Sequence, residues 1–216
     1  DEGIFLIQGW GTGDTNALKD MVTADKIVYM SASYDTGISD PSKTPYNFFV
    51  GTSYGDSIKA AMQFVKDGWT DTTRKPKVVF IYPDHPYGKN PIPAGKEAAT
   101  ALGLEIGPDQ DVSLKATEAV SALTAMRAFN PDFAWIGGTA ASTAVIIKDA
   151  AKLGLTTKFI CNVWGFNENL LKLAGEATKE RAYGMVPITM WGDDVPGMKP
   201  GKGMHKKNHP NDKHTQ

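Results

Sequence analysis

Short apolar runs alternate with longer segments of helical periodicity along most of the chain. IFLIQ (4–8), IVYMS (27–31), YNFFV (46–50) and KVVFIYP (77–83) read as strands, being compact and rich in β-branched and aromatic residues. LEIGPDQDVSL (104–114) reads as a strand broken at Gly107 and Pro108. PDFAWIGG (131–138), TKFICN (157–162) and RAYGMVPITMW (181–191) complete the set. Between them lie helix-like segments. The first, TNALKDMVTADK (15–26), has Asp14 or Thr15 as its expected N-cap. In the second, 53–69, Ile58, Met62 and Val65 share one face with Ala61 beside them. A third starts near Pro93 and stops at Gly103, and others cover 116–130, 139–154 and 166–178. Strands separated by helices of this length predict an α/β fold, with parallel sheets flanked by helices. Residues 193–216 break the pattern. They show neither period, hold five Lys and few bulky apolar residues, and read as a tail that cannot fold alone.

Composition narrows the classes. Hydrophobic residues make up 41% of the 216 and charged residues 22%, as in ordinary globular domains, and the length fits one large domain or two small ones. The net charge of -1, without a basic block, argues against a general nucleic-acid binder, which must neutralise phosphates. Cys161 is the only cysteine, so no intrachain disulfide or multi-thiolate zinc site can form. No apolar run reaches the roughly 18 residues of a membrane span. The opening DEGIFLIQGW does not read as a secretory signal.

The candidate chemistry sits in loops that follow strands. GWGTGDT (9–15) can turn backbone N–H groups and a helix start toward a phosphate or carboxylate, or be a plain tight turn. Asp14 stands where a dinucleotide fingerprint has its third glycine, and Asp35 is near the distance for a ribose-binding acid. SASY (31–34) offers hydroxyls at a strand's carboxyl edge, or a solvated turn. In YPDHPYGK (82–89), His85 reads as a surface loop residue and Tyr87 as the binding candidate. Thr139 and Ser142 can cap a helix or touch a ligand. Trp164 and Phe166 either pack beneath their loop or line a pocket. His205, His209 and His214 have two-ligand spacing but are interrupted by Pro210, so a solvated tail is expected and no metal site. Cys161 reads as a small buried hydrophobe.

The ordered succession IFLIQGWGTGDT, KIVYMSASYDTGISDP, TPYNFFVGTSYGDSIKAAMQFV, KVVFIYPDHPYGKN, NPDFAWIGGTAASTAVIIKDAAKLGL and TKFICNVWGFN resembles the type I periplasmic solute-binding family, in particular the branched-chain amino-acid-binding proteins of ABC transporters. The resemblance spans nearly all of residues 1–192 and implies a two-lobed α/β fold with the ligand between the lobes. Residues 1–50 would belong to an incomplete N-terminal lobe, 51–53 to a crossover and 54–191 to the C-terminal lobe. Residues 192–216 would lead toward a further crossover. It also implies a ligand carboxylate at Trp10, Gly11 and Thr12. Further contacts would come from Ser31, Ser33 and Tyr34, an aromatic at Tyr87, and turns at Thr139-Ala140 and Val163-Trp164.

Two departures shape the expected function. Amino-acid binders of this family carry an acidic residue in the last loop to pair the ligand ammonium. CNVWGFN has none, and Glu168 is the nearest carboxylate. The expected ligand is a small carboxylate-bearing molecule, an amino acid or an aromatic or apolar acid; because an unpaired ammonium in a closed cleft is costly, an acid without one, contacting Tyr34, Tyr87 and Trp164, fits better. The chain also begins and ends inside the family pattern, as a fragment would. The expectation is therefore a non-enzymatic binding component without a cofactor. It would lie in the periplasm, or outside the cell on a membrane anchor, and dock on a membrane permease. A nucleotide-dependent enzyme using the Gly-rich turn and a sensory domain of the same fold are the alternatives.

Overall fold

The computed structural model describes residues 3–211. The chain divides into two compact units, Asp1–Met185 and Val186–Gln216. The first begins with β1 (Leu6–Gln8), α1 (Thr12–Ala24), β2 (Val28–Met30) and β3 (Asn47–Phe48). Next come α2 (Tyr54–Asp67), β4 (Lys77–Tyr82), α3 (Pro86–Lys89), α4 (Ile92–Ala101), β5 (Glu105–Ile106) and β6 (Gln110–Asp111). The series continues through α5 (Val120–Arg127), β7 (Phe133–Ile136), α6 (Ala140–Lys152), β8 (Lys158–Cys161), α7 (Glu168–Ala174) and β9 (Ala182–Gly184). The second unit holds α8 (Met198–Asn208).

Two parallel sheets result. The small one has the order β1-β2-β3. The larger has the order β5-β4-β7-β8-β9, and β6 pairs the same edge of β4 as β5, further along. The expected break at Gly107 and Pro108 is therefore real: β5 and β6 are one interrupted path along β4.

The centre of the larger sheet is buried on both faces because Val78–Ile81 of β4, Phe133–Ile136 of β7 and Phe159–Cys161 of β8 are unbroken apolar runs. Alternation then decides which helix each residue meets. Val78 and Phe80 of β4, Phe133 and Trp135 of β7 and Ile160 of β8 join Ile58, Met62 and Val65 of α2 and Ala99 of α4. Val79, Ile81, Ala134, Ile136, Phe159 and Cys161 join the opposite layer, with Leu123 of α5, Ile146 and Ile147 of α6 and Leu170 of α7. Each large side chain removed from water in this way contributes about 1.5–3 kcal/mol before entropy is counted. This two-sided core holds the carboxyl ends of β4, β7 and β8 in fixed register.

Three expectations change. The helix expected from residue 15 begins at Thr12, with Gly11 as N-cap at φ 76°, a left-handed conformation that glycine alone adopts cheaply. Asp14 and Thr15 thus lie inside the first turn. The strand expected over 181–191 shrinks to Ala182–Gly184, and its ladder ends where Met185 N–H donates to Cys161 O at 2.9 Å. Pro187 has no N–H with which to extend it. The tail forms α8, none of whose residues is buried. Pro200 stands in its first turn, where a missing N–H costs nothing.

Candidate functional site

Five chain reversals follow strands and face one cleft of about 940 Å³. Its lining includes Trp10–Asp14 after β1, Ala32 after β2, His85 and Tyr87 after β4, Thr139–Ala141 after β7 and Trp164 after β8. Tyr54 of α2, Leu114, Asn167 beside α7 and Asn169, Lys172 and Leu173 of α7 complete it. The carboxyl edge of an open α/β sheet is where strand geometry leaves such a crevice.

The Gly-rich turn has a separate reason for each of its first glycines. Gly9 N–H donates to Met30 O at 2.8 Å, and a Cβ there would run into the Tyr29 ring. Gly11 supplies the positive φ that turns the chain into α1. The first turn then presents backbone N–H groups without intrahelical acceptors to the cleft. Thr12 is buried, with Oγ1 2.7 Å from Ser33 Oγ. Thr15 Oγ1 donates to Gly11 O and lies 2.6 Å from Ser31 Oγ. Ser31 and Ser33 therefore brace the turn from behind, and neither reaches the cleft lining.

The aromatic wall is a continuous cluster. Tyr34 stacks on Trp164, with ring centroids 5.7 Å apart, and tilts against Phe49 and Tyr54. Tyr54 meets Tyr87 edge-on at 5.4 Å, and Trp10 lies 5.5 Å from Trp164. Trp164 Nε1 donates to Tyr54 Oη at 2.8 Å. Tyr87 Oη donates to Gly138 O at 2.9 Å and accepts from Asn162 Nδ2 at 3.4 Å. Burial pushes the phenols of Tyr87, Tyr54 and Tyr34 up from their ordinary value, so all three stay protonated at neutral pH. The polar tips of Tyr87 and Trp164 are bonded within the protein. What they offer a ligand is ring surface. Trp10 lines the cleft and is 68% exposed.

Of the nine residues expected at the site, Trp10, Gly11, Thr12, Tyr87, Thr139 and Trp164 line the cleft. Ser31, Ser33 and Tyr34 stand behind it as buried supports. Tyr54, Leu114, Lys172 and Leu173 belong to the lining without having been expected there. Tyr54 carried the pattern of a core helix residue, and α7 carried no motif. Asp14 is the cleft's one carboxylate among the described residues, and it comes from the turn after β1, not from the loop after β8 where an acid was sought. His85 lines the cleft and caps α3, its Nδ1 accepting from Tyr87 N–H. Phe166 packs in the core beneath β9. Burial pushes the Cys161 thiol up to about 12, as suits an inert hydrophobe.

Two other features bear on the alternatives. Asp35, the candidate ribose acid, is buried and accepts from Gly37 N–H, Asn16 Nδ2 and Asn90 Nδ2, which occupies its oxygens within the protein. His205 and His209 have ring centroids 5.2 Å apart, but the described residues hold no group of three metal-ligating side chains. His214 lies outside the described residues.

Comparison with known proteins gives a consistent answer. A family profile described as periplasmic binding protein matches residues 1–201. A crystal structure of an ABC transporter substrate-binding protein from Aeropyrum pernix is 33% identical, with a TM-score of 0.82, and the match covers 95% of this chain and 53% of that one. A branched-chain amino acid ABC transporter protein from Thermus thermophilus with bound valine is 24% identical, with a TM-score of 0.81 over 94% of this chain and 52% of the other. A solute-binding protein from Rhodopseudomonas palustris in complex with 3,4-dihydroxybenzoic acid is 20% identical, with a TM-score of 0.72 over 95% and 55%. The last two show the fold alone. The chain spans about half the length of these structures. A search of curated proteins gives no significant match.

Proposed function

The chain belongs to the periplasmic binding protein family, and from that premise we propose that it is part of the extracytoplasmic solute-binding component of an ABC transporter, taking a carboxylate-bearing apolar or aromatic ligand. Residues 6–48 would contribute to one lobe and residues 54–184 to the other, and the loaded form would dock on a membrane permease. The ligand carboxylate would lie against the N–H groups of Trp10–Asp14 and the Thr12 hydroxyl. Its body would lie on Trp10, Tyr87, Leu114 and Trp164. The observation that carries this reading is the aromatic wall, in which the polar tips of Tyr87 and Trp164 are already bonded within the protein. It can reward an apolar ligand body but has little polar chemistry left for catalysis. The cleft of about 940 Å³ lies at the upper end of small-molecule pockets. Closure over the ligand would be a population shift driven by contacts made only when both lobes touch it.

Asp14 supports a second reading. A carboxylate in the cleft can pair a ligand ammonium, which would restore an amino acid as the solute. Tryptophan fluorescence of the full-length protein, titrated with valine, benzoate, 3,4-dihydroxybenzoate and octanoate, separates the two. The aromatic-acid reading expects saturation by a ring acid, loss of that response in Trp164→Ala, and unchanged or tighter binding in Asp14→Asn. Valine saturation abolished by Asp14→Asn would replace it with the amino-acid reading. Saturation by NAD at micromolar concentration would reopen the enzymatic alternative.

A further inference from the structure

Resting on the reading that a ligand carboxylate lies at the start of α1, we propose that His85 determines ligand specificity by donating a hydrogen bond from Nε2 to that carboxylate. The tautomer follows from a contact already described. Nδ1 accepts from Tyr87 N–H at 3.1 Å, so it carries no proton in this arrangement, and the neutral ring bears its N–H on Nε2. That edge of the ring faces the first turn of α1. A methyl group built on Gly13 would stand 3.7 Å from Nε2 and 3.8 Å from Cε1. The donor therefore stands beside Gly13, at the helix start where the ligand carboxylate is proposed to lie.

The ring is held there by its neighbours. Pro86 opens α3 directly after it. Tyr87, 6% exposed, is pinned by its bond to Gly138 O, and with it the N–H that fixes Nδ1. The charges around the cleft make this donor matter. Asp14 sits in the same first turn and repels a second anion, while Lys172 is an exposed residue of α7. A carboxylate has about four accepting sites on its two oxygens, and any that the backbone N–H groups leave unmet in a closed cleft is costly. His85 meets it. A primary amide would turn either an N–H toward Nε2–H or an N–H toward the helix N–H groups. The arrangement thus favours acids over their amides.

Two substitutions divide the ring's two roles. In His85→Asn, Oδ1 can keep accepting from Tyr87 N–H, but nothing reaches the position of Nε2. In His85→Gln, an amide N–H reaches that position. Calorimetry on the full-length protein would use the tightest binder among valine, benzoate, 3,4-dihydroxybenzoate and octanoate, together with its primary amide. The expected result is an affinity for the acid about tenfold lower in His85→Asn, as for loss of a hydrogen bond to a charged group. His85→Gln should recover part of it, the thermal midpoint should hold, and the weak amide binding should not change. Acid binding equal to wild type in both variants would overturn the assignment and leave the functional reading standing. So would parallel losses for acid and amide, which would make His85 structural only. Wild-type protein that binds none of the four acids would overturn the functional reading, and this inference with it.

Discussion

Tyr87 lines the cleft and at the same time ties its walls together. Its position after β4 was legible from a Tyr in a loop at a strand's carboxyl edge. Its hydroxyl, however, bonds Gly138 O and Asn162, so the residue joins the loops after β4, β7 and β8. Tyr87→Phe removes the donor from a buried carbonyl and should cost about 1–3 kcal/mol of stability. Urea unfolding would show it as a lower midpoint, with ligand affinity falling less than the midpoint implies. Ser31 and Ser33 stand behind the lining, a placement hidden from sequence for the related reason that it reports hydroxyl chemistry without its direction. Their partners, Thr15 and Thr12, come from a helix start that only the positive φ of Gly11 places three residues earlier than the polar pattern suggested. Asp14 was equally visible as a residue, yet its place in the cleft lining was not, because that is set by packing between elements.

Among the elements, β4, β7 and β8 were the most legible, since runs such as KVVFIY and FAWI must be buried on two faces. Short elements escaped for want of a period: α3 has four residues, and α8 buries none of its own. Contacts between helices escaped as well. Asp149 of α6 accepts from Ala119 N–H, just before α5, at 2.9 Å, and from Lys152 Nζ at 2.9 Å. The Lys152 hydrogen bond first, and then that of Ala119 N–H, hold its carboxyl below the usual 3.8. The folded pKa being the lower one, this carboxylate stabilises the fold above about pH 3.8, and the contribution is lost as pH falls through the folded value. Asp149→Asn should flatten the fall of the urea midpoint below pH 4 relative to wild type. Identical slopes in the two proteins would dismiss this link between α5 and α6.

At the scale of the whole molecule, the α/β class and the parallel order followed from alternation, while the distribution of strands between two sheets did not. Nothing in IFLIQ or IVYMS says that they pair with each other and not with KVVFIY. The resemblance implied two lobes, and β1–β3 do form a sheet separate from the one that holds β4. The small sheet leaves Phe5 81% and Val50 72% exposed, and the solved relatives are about twice as long as this chain. Binding measurements therefore belong to the full-length protein. The central claim is that the cleft at the carboxyl edges of β1, β4, β7 and β8 holds an apolar or aromatic acid. Titration calorimetry of the full-length protein, wild type beside Trp164→Ala, with 3,4-dihydroxybenzoate, benzoate and octanoate against valine, tests it most directly. The account predicts saturable one-site binding of an acid without an ammonium, weakened at least about tenfold by loss of the indole. Binding of valine alone, unchanged in Trp164→Ala, would contradict it.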